Sequence, residues 1–76
     1  MKETLELIIK SLVDDVEAVS IEELETEGGL TLKVKVASTD MGRIIGKQGR
    51  MAKAIRDVIR AIGIKEKKKV TIEFVN

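Results

Sequence analysis

The apolar residues of this chain change their spacing from one segment to the next, and that succession limits the folds open to it. Leu5, Ile8, Ile9, Leu12, Val13 and Val16 recur at three- and four-residue steps, the period of a helix with one apolar stripe. Residues 2 to 14 are therefore predicted as an amphipathic packing helix. Val19 and Ile21 then alternate with Ser20 and Glu22, which predicts a strand from about 18 to 26. The alternation slips phase at Glu23-Leu24, where a bulge fits. Glu27-Gly28-Gly29 reads as a tight turn, and Leu30, Leu32, Val34 and Val36 alternate with polar residues beyond it. Together these segments make a hairpin with one buried face.

Ser38, Thr39 and Asp40 are N-cap candidates for a short helix over Met41 to Ile45, ended by Gly46. A second helix is predicted from Arg50 to Ile62, stopped by Gly63, and a last strand from 69 to 75 carries Val70, Ile72 and Phe74. The predicted order is α-β-β-α-α-β. No linker, repeat or low-complexity tract interrupts it.

With 76 residues, the chain has room for one hydrophobic core and one domain. It holds no cysteine and no histidine, so disulfides, the usual zinc sites, thiol nucleophiles and imidazole acid-base chemistry are excluded by inventory. The chain is expected not to be an enzyme and to need no cofactor or metal. Proline is absent, Gln48 and Asn76 are the only side-chain amides, and 36% of residues are charged, a bias met in thermophile proteins. Met1-Lys2-Glu3-Thr4 lacks the basic-then-apolar layout of a signal peptide. A cytoplasmic protein is expected, with no membrane segment.

A formal net charge of +1 conceals a division along the chain. Residues 1 to 40 carry four lysines against ten acids, and residues 41 to 76 carry ten Lys or Arg against three acids. If the two sets separate in space, the basic half suits an anionic partner such as nucleic acid. If they interleave, they cancel. The single aromatic residue, Phe74, argues against recognition by a platform of stacked rings.

On a wheel at about 100° per residue, Met51, Ala54, Ile55, Val58, Ile59 and Ile62 fall within roughly 40° to 180°, and Arg50, Lys53, Arg56 and Arg60 within roughly 240° to 360°. The basic side is interrupted only by Asp57. Just before this helix stands Arg43-Ile44-Ile45-Gly46-Lys47-Gln48-Gly49-Arg50. Two glycines allow a tight reversal and leave no Cβ against an approaching sugar-phosphate backbone. Amide N–H groups at the following helix start, with the helix dipole, suit a phosphate, and Lys47 adds a charge at the tip. A G-x-x-G alone usually marks only a turn; the flanking helices, the Ile-Ile lead-in and the basic face favour a binding loop.

Ile44-Ile45-Gly46-Lys47-Gln48-Gly49-Arg50 resembles the motif of the K-homology (KH) domain, and the whole chain resembles the small single-domain bacterial KH proteins of the KhpA type. The strand order is similar to type II of that family. The resemblance implies an α+β fold with a three-stranded mixed sheet, strand 2 central, strand 1 antiparallel and strand 3 parallel to it, and three helices on one face. It divides the single domain 1–76 into an α-β extension, 1–28, and a β-α-α-β core, 29–76. It also implies a single-stranded RNA-binding protein, an RNA chaperone or post-transcriptional regulator. Carried over, Gly46, Lys47, Gln48 and Gly49 hold the RNA backbone, and Arg50 and Lys53 add cationic contacts. Arg43 extends the track. Ile44 and Ile45 either lie beside the bases or belong to the core, with Ile44 the more core-biased. Lys65, Lys67, Lys68 and Lys69 either form a groove rim or are simply solvated. Partners implied are single-stranded RNA and a homodimer, or a heterodimer with a larger KH-containing protein.

Three other readings compete with this one. Gly42 to Gln48 is superficially similar to a nucleotide-binding P-loop, but has three residues between the glycines, Gln48 where a hydroxyl belongs, and no strand immediately before it. A basic helix can lie on anionic lipid, but this one has no aromatic anchor and its apolar stripe is claimed by the core. A protein-assembly module, with RNA binding secondary or absent, is left open by the residues.

Overall fold

The computed structural model describes residues 1–75; Asn76, counted in the expected domain 1–76, lies outside the described residues. The elements are α1 (Lys2–Leu12), a 3-10 turn (Val16–Ala18), β1 (Ser20–Thr26), β2 (Gly29–Lys35), α2 (Ser38–Lys65) and β3 (Val70–Val75). The sheet order is β1-β2-β3. β2 is central, antiparallel to β1 and parallel to β3, as the resemblance to type II KH domains implies. The parallel step needs a crossover, and α2 supplies it.

Register explains which face is dry. Ile21 pairs with Val34 and Val34 with Phe74, Leu32 pairs with Ile72, and Leu30 with Val70, so these side chains share one face of the pleat. They join Leu5 and Ile9 of α1 and Met41, Ile44, Ala52, Ile55 and Ile59 of α2 in one core. On the other face Glu22, Lys33 and Glu73 stand side by side, an alternation of sign that favours adjacent strands. No helix among the described residues is long and apolar enough to cross a membrane.

Several expectations are corrected. Among the described residues two helical elements stand where three helices were expected, α1 and α2, because the second and third segments run on as one element, Ser38–Lys65, broken inside at the expected turn. Their junction is four residues with non-helical backbone, Gly46, Lys47, Gln48 and Gly49, inside one element. No bulge forms in β1, whose register runs unbroken from Ser20↔Lys35 to Thr26↔Gly29. Leu24 therefore falls on the outer face, and Ile21 is the only buried residue of the strand. α1 ends at Leu12 rather than at residue 14.

The C-terminal arm of α2 is turned by roughly 60° from the predicted stripe. Ala52, Ile55, Ile59 and Gly63 are buried, whereas Ala54 is exposed and Val58 is 49% exposed. The small residues Ala52 and Gly63 let the helix backbone settle close to the sheet, which brings their side of the helix inward. Gly63 also does not stop the helix. The arm ends in a C-terminal turn in which Lys67 N–H donates to Ile64 O (3.0 Å) and Lys68 N–H to Gly63 O (2.8 Å), with Lys67 at φ 59°. That pattern is a Schellman cap with lysine in the left-handed position usually given to glycine.

Candidate nucleic-acid interface

The first arm of α2, residues 38–45, is fixed by a buried acid. Its N-cap is Ala37 and no side chain caps it, which corrects the assignment of Ser38, Thr39 or Asp40 to that role. Asp40 is instead 2% exposed, and its two carboxylate oxygens accept the backbone N–H groups of Asp14 (3.0 Å) and Asp15 (3.1 Å). These bonds satisfy donors in the turn after α1 and tie it to α2. Those two hydrogen bonds, helped by the nearby Arg43 guanidinium and opposed by burial, hold the Asp40 carboxyl below its ordinary value. Arg43 Nη1 donates to Asp14 Oδ2 (2.8 Å) and lies 3.5 Å from Asp40 Oδ1. Arg43 is thus partly neutralised before any ligand arrives.

One turn further on the helix breaks. Gly46 has φ −60° and ψ 171°, an extended geometry open to any residue, and Lys47, Gln48 and Gly49 follow at φ 54°, 64° and 71°. Three successive left-handed residues, two of them not glycine, store backbone strain of about 1–2 kcal/mol per non-glycine residue. Both Lys47 and Gln48 are exposed at this break.

Beside the break lies a cavity of about 650 Å³ lined by Gly42, Arg43, Gly46, Lys47, Arg50 and Met51. Helical spacing places Gly42 and Gly46 on one side of the first arm. A Cβ built on either would meet nothing within 4 Å. Neither glycine is needed for packing, and their absent side chains leave bare backbone in the cavity wall. Gly42 was not among the residues singled out for the site; its four-residue offset from Gly46 was the available signal.

The remaining candidates divide. Ile44 is 1% exposed and belongs to the core, whereas Ile45 is 49% exposed next to the break. Lys47 and Arg50 make no ion pair; among the described residues the pairs are Lys10–Glu6, Arg43–Asp14, Arg43–Asp40 and Lys53–Asp57. Lys53 Nζ lies 3.0 Å from Asp57 Oδ2 on the exposed side of the helix. Arg56 Nε donates to Ile72 O (3.4 Å) and its guanidinium sits 5.4 Å from the Phe74 ring centroid. The basic flank of α2 therefore runs beside β3, while the acidic strand β1 forms the opposite sheet edge. Lys65, Lys67, Lys68 and Lys69 lie at the far end of α2, about 24 Å along the helix from Arg50.

A model of the KhpA/KhpB KH domain matches residues 2–74. The chain belongs to the KhpA/KhpB KH-domain family. It is 53% identical over 75 residues to the "RNA-binding protein KhpA" of Clostridium perfringens, covering 99% of this chain and 100% of that one. The protein of the same name from Listeria monocytogenes is 49% identical, with 99% of each chain covered. That of Aquifex aeolicus is 39% identical, with 97% of this chain and 94% of its own covered. No solved structure matches. As a KH domain, the chain carries its G-x-x-G at the break, residues 46–49, with the cavity and the cations Lys47 and Arg50 beside it.

Proposed function

We propose that this chain is a cytoplasmic single-stranded RNA-binding protein, acting as an RNA chaperone or post-transcriptional regulator, that grips backbone phosphates at the break in α2. The observation that carries the reading is the break itself: left-handed, exposed Lys47 and Gln48, Lys47 and Arg50 with no ion pair among the described residues, and bare backbone at Gly42 and Gly46. The name "RNA-binding protein" borne by relatives that match it end to end supports the ligand class. Phosphates approach the glycine backbone closely while Lys47, Arg50 and, more weakly, Lys53 neutralise them. Ile45 offers apolar surface to a base, and Arg43, tied to Asp14, contributes least.

Substituting Lys47→Asp together with Gln48→Asp tests this reading. Two carboxylates at the tip are expected to weaken RNA at least tenfold, about 1.4 kcal/mol, with the fold retained because exposed substitutions usually cost within about 0.5 kcal/mol. An RNA titration indistinguishable from wild type would remove the loop from the mechanism.

The second reading, assembly with another copy or with a larger KH-containing protein, is favoured by one observation. Ala54, Val58 and Ala61 are exposed at helical spacing on α2, an apolar stripe with no partner in the monomer. Light scattering on the RNA-free protein and on Val58→Glu separates the cases: a dimer converted to monomer supports the reading, and a monomeric wild type rejects self-association.

A further inference from the structure

We propose that Arg60, Lys67, Lys68 and Lys69 form a second phosphate-binding subsite for the same RNA strand, one helix length from the break. The inference rests on the RNA-binding reading above and adds a footprint longer than the loop can cover.

The four cations line a cavity of about 530 Å³ together with Ile64 and Thr71. Arg60 enters from α2 and the lysines from the turn before β3, so the charge converges from two elements. None of the four is in an ion pair among the described residues. That holds although Glu66 lies in the same turn and Glu25 and Glu27 line an adjoining cavity with the same three lysines.

The lysines are also displayed from fixed backbone. Lys68 N–H donates to Gly63 O (2.8 Å), Lys67 N–H to Ile64 O (3.0 Å), and Lys69 O accepts from Leu30 N–H (2.8 Å). Lys67 holds φ 59°, where glycine would fit with less strain. The helix dipole favours a cation at this end, but that alone would be met by Lys65 or Lys68 without a lysine in the left-handed position. Ile64, 69% exposed, supplies apolar surface that a base can cover.

Charge position points to a strand rather than a small anion. Arg50, Lys53, Arg56 and Arg60 share one flank of α2, so the positive charge continues from the break to this cavity. Arg56 is engaged by β3 and Lys53 by Asp57, which leaves the two ends, Lys47 with Arg50 and Arg60 with the lysines, as the strong points. Arg60 lies about 15 Å and the lysines about 24 Å along the helix from Arg50, roughly four and seven nucleotides at a 3.4 Å spacing per strand. With about four nucleotides at the loop, a strand needs on the order of eleven to reach both.

The test compares oligouridylates of six and fourteen nucleotides by fluorescence anisotropy across a salt series. It uses wild type, Lys67→Gly/Lys68→Gln/Lys69→Gln, and Arg60→Gln, each checked by thermal melting. Counting placements of a four-nucleotide window gives the longer RNA roughly a fourfold advantage without any second contact. Wild type is expected to exceed that ratio clearly, with a log-log salt slope steeper for the longer RNA by about 1.4 to 2, two or three phosphates. The triple lysine variant is expected to lose most of the extra slope on the longer RNA and Arg60→Gln about 0.7 of it, while both bind the shorter RNA as wild type does; Lys67→Gly alone is expected to melt higher. Equal slopes for the two lengths in wild type, or equal losses on both RNAs in the variants, would overturn the second subsite. The loop variant Lys47→Asp/Gln48→Asp on the six-nucleotide RNA reports separately on the loop reading.

Discussion

A Cβ added to Gly63 would lie 2.8 Å from Val70 Cγ2 and 2.9 Å from Lys68 O, so this glycine sets how closely α2 approaches the start of β3. A branched side chain and a backbone carbonyl cannot both withdraw without shifting the strand. Gly63→Ala is therefore expected to cost about 1–3 kcal/mol by overpacking, a fall in Tm of at least about 4 °C for a domain of this size. Affinity for a six-nucleotide RNA should be unchanged. A melting temperature equal to wild type would show that the helix end can move freely.

Gly42 makes the opposite case. It is exposed inside a helical arm, and nothing within 4 Å would meet its Cβ, so alanine should stabilise the fold by roughly 0.5–1 kcal/mol. Its place in the cavity wall beside Gly46 and Lys47 predicts a loss of RNA affinity from the same substitution, and a larger loss from Gly42→Gln. Chemical denaturation and RNA titration on one sample check both signs. Tighter folding with undiminished RNA binding would place the RNA path elsewhere.

Asp40 gives the stability a pH dependence of definite sign. Its pKa is lowered in the folded state from 3.8, so above that value both states are ionised and the stabilisation is fully present. As pH falls below it, the unfolded chain binds the proton first and stability drops, until pH passes below the folded-state pKa. Asp40→Asn removes this titration and leaves one oxygen to serve two N–H donors. The variant should be less stable at neutral pH and should lose less stability on acidification, as read from urea midpoints between pH 7 and pH 2. An unchanged acid slope would mean that other carboxylates dominate.

The three strands and the β1-β2 hairpin were legible because their signals are local: alternation in Leu30, Leu32 and Val34, and glycines at the turn. The loop at 46–49 was legible for the same reason. The parallel crossover and the central place of β2 are non-local and came only with the resemblance to the type II KH domain. What failed required tertiary information. Leu24 breaks the alternation of β1, and only the partner register shows that it simply faces out. Helix periodicity gave Val58 to the core, but Ala52 and Gly63, small enough for close approach, turn that side inward. A buried acid bonded to residues 25 and 26 positions away leaves no local trace, so Asp40 looked like a cap. The pairing of Arg43 with Asp14, 29 positions away, is non-local in the same way, whereas Lys53 and Asp57 are a local pair four residues apart; both pairings change what those cations can offer a ligand.

That last difference ranks the cations and can be measured. Among the described residues Arg50 has no ion pair, whereas Lys53 lies 3.0 Å from Asp57 Oδ2. Each phosphate neutralised on a single strand contributes about 0.7 to the log-log salt slope. Arg50→Ala should therefore lower the slope by about 0.7 and weaken all sequences alike, as a phosphate contact must. Lys53→Ala should do less, because the lysine shares its charge with Asp57. Asp57→Asn should then strengthen RNA binding by releasing Lys53, and Lys53→Ala in that background should recover the full decrement. The pair is exposed and worth little to stability, so melting should hardly move. Equal effects of Arg50→Ala and Lys53→Ala in the wild-type background would mean that the Lys53–Asp57 contact dissolves when RNA binds.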